Sequence, residues 1–264
     1  MKYCLSSRQK DNFLKVIDEI KVKYRDRDII YDLSQKYPEA TVILETPITL
    51  DEEIDWKEID NYNIVLQGRL ILCLARLNLI PECKQRQIKY YYGFATGTMY
   101  DLRALKELGV CYLKVAAPAF FKMSEVAALD IPVRIAANIA HDGFIPRENG
   151  ICGSWIRPED LDTYEPYIQT LEFEGVDLEQ ERALYQVYAI YKQWPGDLKD
   201  LIINLDRSCD NRFITKDFGT HRLNCGQRCQ ENQTCQICYR LLRLAEKEMA
   251  DKIIKIAKER GDLK

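Results

Sequence analysis

Along most of this chain, short runs of apolar, β-branched and aromatic residues alternate with segments whose apolar positions repeat every three or four residues. Residues 11–25 place Phe13, Leu14, Ile17 and Ile20 on one face and predict a helix; a second, over 29–37, is stopped by Pro38. From residue 41 the pattern changes. Eight candidate strands follow: 41–45 (TVILE), 63–67 (NIVLQ), 88–94 (IKYYYGF), 111–115 (CYLKV), 133–137 (VRIAA), 151–155 (ICGSW), 168–173 (IQTLEF) and 201–205 (LIINL). Helical spacing fills the intervals at 69–79, 98–108, 124–129, 158–167 and 179–194. Of these, 98–108 opens on Thr98 with Asp101 three residues on and closes at Gly109, the pattern of an N-cap and a C′ glycine.

Strands alternating with helices imply parallel pairing with right-handed crossovers. The pattern predicts an α/β fold: an irregular (β/α)8-type barrel over 41–207, preceded by helices in 1–40 and followed over 208–264 by a Cys-rich metal loop and an amphipathic helix at 239–260. Residues 138–150 read as a loop, a departure from an ideal barrel. The apolar stripe of the last helix is expected to dock on the barrel, with a protein partner as the alternative.

Composition narrows the function classes. Of 264 residues, 47% are hydrophobic and 30% charged, which supports a packed core, and the net charge of −3 gives no global field toward nucleic acid or anionic lipid. No run of about 18 apolar residues occurs and the first residues lack an apolar leader segment, so a cytoplasmic protein is expected.

Ten cysteines change the picture more, because five of them (Cys209, Cys225, Cys229, Cys235 and Cys238) crowd into the last quarter, in a stretch too polar to bury much by itself. Cys225-x3-Cys229-x5-Cys235-x2-Cys238 brings four thiols close enough in sequence to converge on one ion or cluster, whose ligation would order the loop. Either Zn2+ or a 4Fe–4S iron-sulfur cluster suits such a set, and Cys209 or His221 could replace one ligand. The spacing is not the Cys-x3-Cys-x2-Cys triplet of radical enzymes that use S-adenosylmethionine.

Strand ends carry the other candidates, since functional groups of parallel barrels gather there. Glu45, Lys114, Asn138 with His141, Arg157, and Glu172 with Glu174 follow apolar runs. Glu172 and Glu174 flank Phe173 and share a strand face, where they could serve as general base, metal ligand or arginine partner; the alternative is that they are ordinary solvated strand ends, or that Glu172 pairs with Arg134 or Arg157 for structural reasons. The candidate catalytic set is therefore Glu172, Glu174, His141, Asn138 and Arg157. The chain contains no P-loop, nucleophile elbow or HExxH motif.

Residues 93–118 (GFATGTMYDLRALKELGVCYLKVAAP), with the strand near Val133 and the Glu-Phe-Glu-Gly segment at 172–175, resemble the barrel core of the collagenase-like peptidase family, which includes RNA and quinone-precursor hydroxylases. The likeness covers about half of the chain. It implies an iron-sulfur cluster beside the barrel mouth and a hydroxylase-like or hydrolase-like activity, with Glu172 in the site. That family has a cysteine pair soon after the glutamate segment, whereas residues 176–208 here contain no cysteine. The expected function is a metal- or cluster-containing barrel enzyme that modifies RNA or a small aromatic substrate. The alternative is a non-catalytic binding protein stabilised by a structural Cys4 zinc site.

Overall fold

The computed structural model describes residues 1–6, 18–49, 52–116, 119–139, 155–173, 178–203, 205, 209–223, 225 and 237–259. Its strands are β1 (Lys2–Ser6), β2 (Glu19–Lys23), β3 (Thr41–Glu45), β4 (Leu70–Leu74), β5 (Lys89–Tyr92), β6 (Leu113–Lys114), β7 (Val133–Ala136) and β8 (Thr170–Glu172). They form one sheet in the order β5-β4-β3-β2-β1-β8-β7-β6, every ladder parallel. That order is the chain order taken around a ring, so the sheet is a nearly closed (β/α)8-type barrel. Its two ends approach through flanking residues: the Cys111 amide donates to Tyr90 O at 2.8 Å and the Thr96 amide to Lys114 O at 2.8 Å.

Several elements differ from the sequence reading. The barrel starts at Lys2 rather than at residue 41, because 19–23, expected to be helical, is β2. Glu19-Ile-Lys-Val-Lys23 alternates polar and apolar, and Ile20 and Val22 join the apolar layer under the helices while Glu19 and Lys21 face the bore. Residues 63–67, expected to be a strand, are the last turn of helix α2 (Trp56–Val65) and the turn that follows it, and Leu70–Leu74, expected to be helical, is β4. Asp55 starts α2 by accepting from the amides of Lys57 (3.0 Å) and Glu58 (3.1 Å). All five residues of β4 are buried, and a strand covered on both faces shows no alternation to distinguish it from a buried helix. Of 201–205, expected to be a strand, residues 201–203 turn and end in an isolated bridge between Ile203 and Ile139 past β7; residues 204 and 151–154 lie outside the described residues.

The remaining helices are α1 (Ile30–Lys36), α3 (Ile80–Gln85), α4 (Met99–Glu107), α5 (Met123–Ala127), α6 (Leu161–Tyr164), α7 (Leu178–Tyr185, continued by wider π-helical turns over Gln186–Tyr191), α8 (Phe218–Leu223) and α9 (Ile237–Glu259). In α4 the Thr98 hydroxyl accepts from the Asp101 amide at 3.1 Å, and Gly109 sits just beyond the helix at φ +80°, a left-handed position that suits glycine. On α9, Ile253, Ile254 and Ile256 are exposed, so this part of the stripe is not docked on the barrel. No described helix is long and apolar enough to cross a membrane.

Candidate functional site at the barrel mouth

A barrel bore is commonly filled with branched apolar side chains. This one is charged. Glu172, the last residue of β8, is fully buried, and three cations from three other strands surround it. Lys114 Nζ of β6 lies 2.7 Å from Oε2, Lys21 Nζ of β2 donates to the same oxygen at 3.4 Å, and Arg134 Nε of β7 is 2.7 Å from Oε1. The Tyr91 hydroxyl of β5 donates to Oε1 at 3.3 Å. Burial by itself would raise the Glu172 carboxyl, but Lys114, Lys21 and Arg134 outweigh it and hold the group well below the ordinary value of 4.5.

At the first residue of β2, Glu19 repeats the arrangement. Arg134 Nη2 donates to its Oε2 at 2.7 Å and the Tyr112 hydroxyl to its Oε1 at 3.0 Å, while Lys2 Nζ approaches to 3.9 Å from the surface. The Arg134 guanidinium lies 4.5 Å from the ring centre of Tyr91 and 4.7 Å from that of Tyr112, so aromatic faces cover what carboxylates do not. Burial drives the hydroxyls of both tyrosines upward, so they remain protonated donors at neutral pH.

Toward the carboxyl ends, Lys21 Nζ also lies 3.6 Å from Glu45 Oε1. Glu45 and Cys73 form the inner wall of an open cavity of about 410 Å³ rimmed by Lys23, Arg25, Glu52 and Phe94. Its size falls within the range of small-molecule sites. Gly93, on the cavity wall, lets the chain pass close to β4, because a Cβ there would lie 2.7 Å from Cys73 Sγ and 3.3 Å from Leu74 O. The Cys73 thiol is raised by burial, which suits a packed hydrophobe better than a nucleophile.

Of the residues singled out from the sequence, Glu172 lies in this cluster. Asn138 is buried just past β7, where its carbonyl accepts from the Ile203 amide at 2.8 Å. Arg157 belongs to a separate buried cluster: Nε and Nη2 pair with Asp160 at 2.7 and 2.6 Å, and further hydrogen bonds reach Asn211 Oδ1 and Thr215 O. Glu174 and His141 lie outside the described residues, as do Cys229 and Cys235. Cys225 is half-buried, its amide donating to Arg222 O at 3.2 Å, and Cys238 falls in the first turn of α9 with its side chain outside the described set. Among the described residues, no three His, Cys, Asp or Glu side chains are grouped to hold a metal ion.

Glu19 and Lys21 were not singled out from the sequence, Tyr91 reads there only as part of an aromatic strand run expected in the core, and Lys114 and Arg134 only as a strand end and a pairing partner. The alternation Glu19-Ile-Lys-Val-Lys23 is the signal that could have found the first two, since one face of a buried strand carries only charges.

No family model matches the chain, and no curated protein matches it. Among solved structures, a cube-shaped, highly porous protein cage designed by fusing symmetric oligomeric domains is similar over 98% of this chain and 84% of that one, at 10% identity and a TM-score of 0.41.

Proposed function

We propose that the protein is an enzyme acting on a small anionic substrate at the carboxyl-end mouth of its barrel. The observation that carries this reading is Glu172, fully buried and shared by Lys21, Lys114 and Arg134. Desolvating each such ion costs on the order of several kcal/mol, and apolar residues of similar volume often fill a core as well or better. Charge gathered at strand ends beside a cavity therefore points to use of the site rather than to stability alone.

Because its neighbours hold it ionised, Glu172 does not donate a proton at neutral pH. It acts as a fixed counter-charge that keeps two lysine ammonium groups at the mouth. Lys23 and Arg25 at the rim balance the carboxylates of Glu45 and Glu52, and Lys114, with 11% of its side chain exposed, is the more accessible of the two inner lysines. A carboxylate or phosphate entering the cavity would meet Lys23 and Arg25, with Lys21 and Lys114 beyond the wall formed by Glu45, an arrangement that serves either a small molecule or an RNA phosphate.

The spacing of Cys225, Cys229, Cys235 and Cys238 supports a metal centre in the same chain. Bound zinc would supply folding free energy to the cysteine loop; a 4Fe–4S cluster would supply electrons.

Calorimetric titration with inorganic phosphate and with citrate tests the mouth. Saturable binding by the wild type, weakened by about tenfold or more in Lys114→Met, is the expected result, the size of one lost charge-assisted hydrogen bond. A folded wild type that binds neither anion overturns the reading. Metal analysis of protein prepared without oxygen, with its absorption at about 400 nm, tests the cysteines; about one zinc or one cluster per chain is expected, and neither in a folded sample overturns that assignment.

A further inference from the structure

The Arg134 guanidinium is shared unequally. Its Nη2 makes an aligned hydrogen bond of 2.7 Å to Glu19, whereas its Nε, equally close to Glu172 Oε1, is off the line of a hydrogen bond, and its Nη1 has no hydrogen-bond partner among the described residues. All three groups are fully buried. An arginine facing one carboxylate normally turns its planar fork to it in bidentate fashion. Here Glu19 and the rings of Tyr91 and Tyr112 hold the plane askew, and Glu172 keeps Arg134 Nε as an unaligned ion pair beside Lys114, Lys21 and the Tyr91 hydroxyl.

We infer that Glu19, at the amino end of the bore, is a positioning residue that acts through Arg134 to set how firmly Glu172 holds the two mouth lysines. If Glu19 loses its charge, the guanidinium is free to turn and close its fork on Glu172. The carboxylate then withdraws from Lys114, and the ammonium becomes available to an incoming anion. The role in ligand affinity rests on the mouth reading above; the coupling between Glu19 and Lys114 does not.

The experiment compares the wild type with Glu19→Gln, Glu19→Asp and Tyr112→Phe, the last a mild change that removes one hydrogen bond from Glu19 and keeps its charge. Reductive methylation followed by peptide mass spectrometry reads the reactivity of each lysine, and inorganic phosphate titration reads anion affinity. In E19Q, Lys114 is expected to methylate about tenfold faster while lysines outside the bore keep their rates, the scale of losing one charge-assisted hydrogen bond. Y112F shifts the rate in the same direction by less, E19D returns it toward the wild type, and phosphate binds more tightly in E19Q. A Lys114 rate unchanged in folded Y112F and E19Q overturns the inference, as does a uniform rise at every lysine of Y112F. If Lys114 responds while no variant binds phosphate, the coupling stands and the mouth reading fails.

Discussion

Replacing Glu172 by glutamine removes a negative charge where Lys21, Lys114 and Arg134 converge, and leaves three cations with less than they need. Breaking a buried ion network in this way typically costs about 3–5 kcal/mol, which urea unfolding of E172Q at pH 7 would read directly. The pH dependence has a definite sign. The folded carboxyl titrates below its ordinary 4.5, so its stabilisation is complete above that value and is lost as the pH falls from there through the folded value. The wild type should therefore lose urea resistance more steeply than E172Q below about pH 4.5, and parallel acid limbs would contradict the assigned direction. The sequence made Glu172 legible because it ends an apolar run. Of its partners, Arg134 was one of the two arginines named for it, but Lys21 and Lys114 were not legible, since nothing near residue 172 says which lysine the ring of strands will place opposite.

Among the elements, those with local start and stop chemistry were the easiest to read. Helix α4 has its Thr98 cap and Gly109 terminator, and β3 forms over the residues its β-branched run predicts. The neighbouring pair α2 and β4 was harder, for reasons visible in two turns. Asp55 caps a helix whose apolar positions are sparse, and Gln67 (φ 52°) and Gly68 (φ 78°) turn the chain through left-handed conformations before β4 begins. The strand itself, LILCL, offers no period. Asp55→Ala is expected to cost about 1 kcal/mol, because two amides at the head of α2 lose their acceptor; thermal or urea unfolding measures it, and an effect within error would mean that water serves those amides equally well.

For the molecule as a whole, Arg157 is a fastener between distant segments. It pairs with Asp160 beside α6 and reaches Asn211 and Thr215, while its guanidinium lies 5.0 Å from the ring centre of Phe218 on α8. Nearby, buried Arg222 donates to Trp155 O and packs against that ring. Together these contacts hold the segment leading into Cys225 against the residues that follow β7. Arg157→Met strands the Asp160 carboxylate in the interior and is expected to cost about 3–5 kcal/mol, with faster proteolytic cleavage across 209–223. Unchanged stability together with unchanged cleavage would refute the fastening role.

The sequence by itself determined the alternation of strands and helices, the caps that bound α4 and the crowding of cysteines up to the first turn of α9, because each depends on residues near one another along the chain. Tertiary structure alone decided that residues 1–40 supply two barrel strands, and that charges rather than branched aliphatics fill the bore. Lys21 and Glu172 are 151 residues apart, and Glu19 and Arg134 are 115 apart. Their meeting follows from closing eight strands into a ring, which turns alternate residues of every strand toward one axis and obliges each buried charge to find its opposite there.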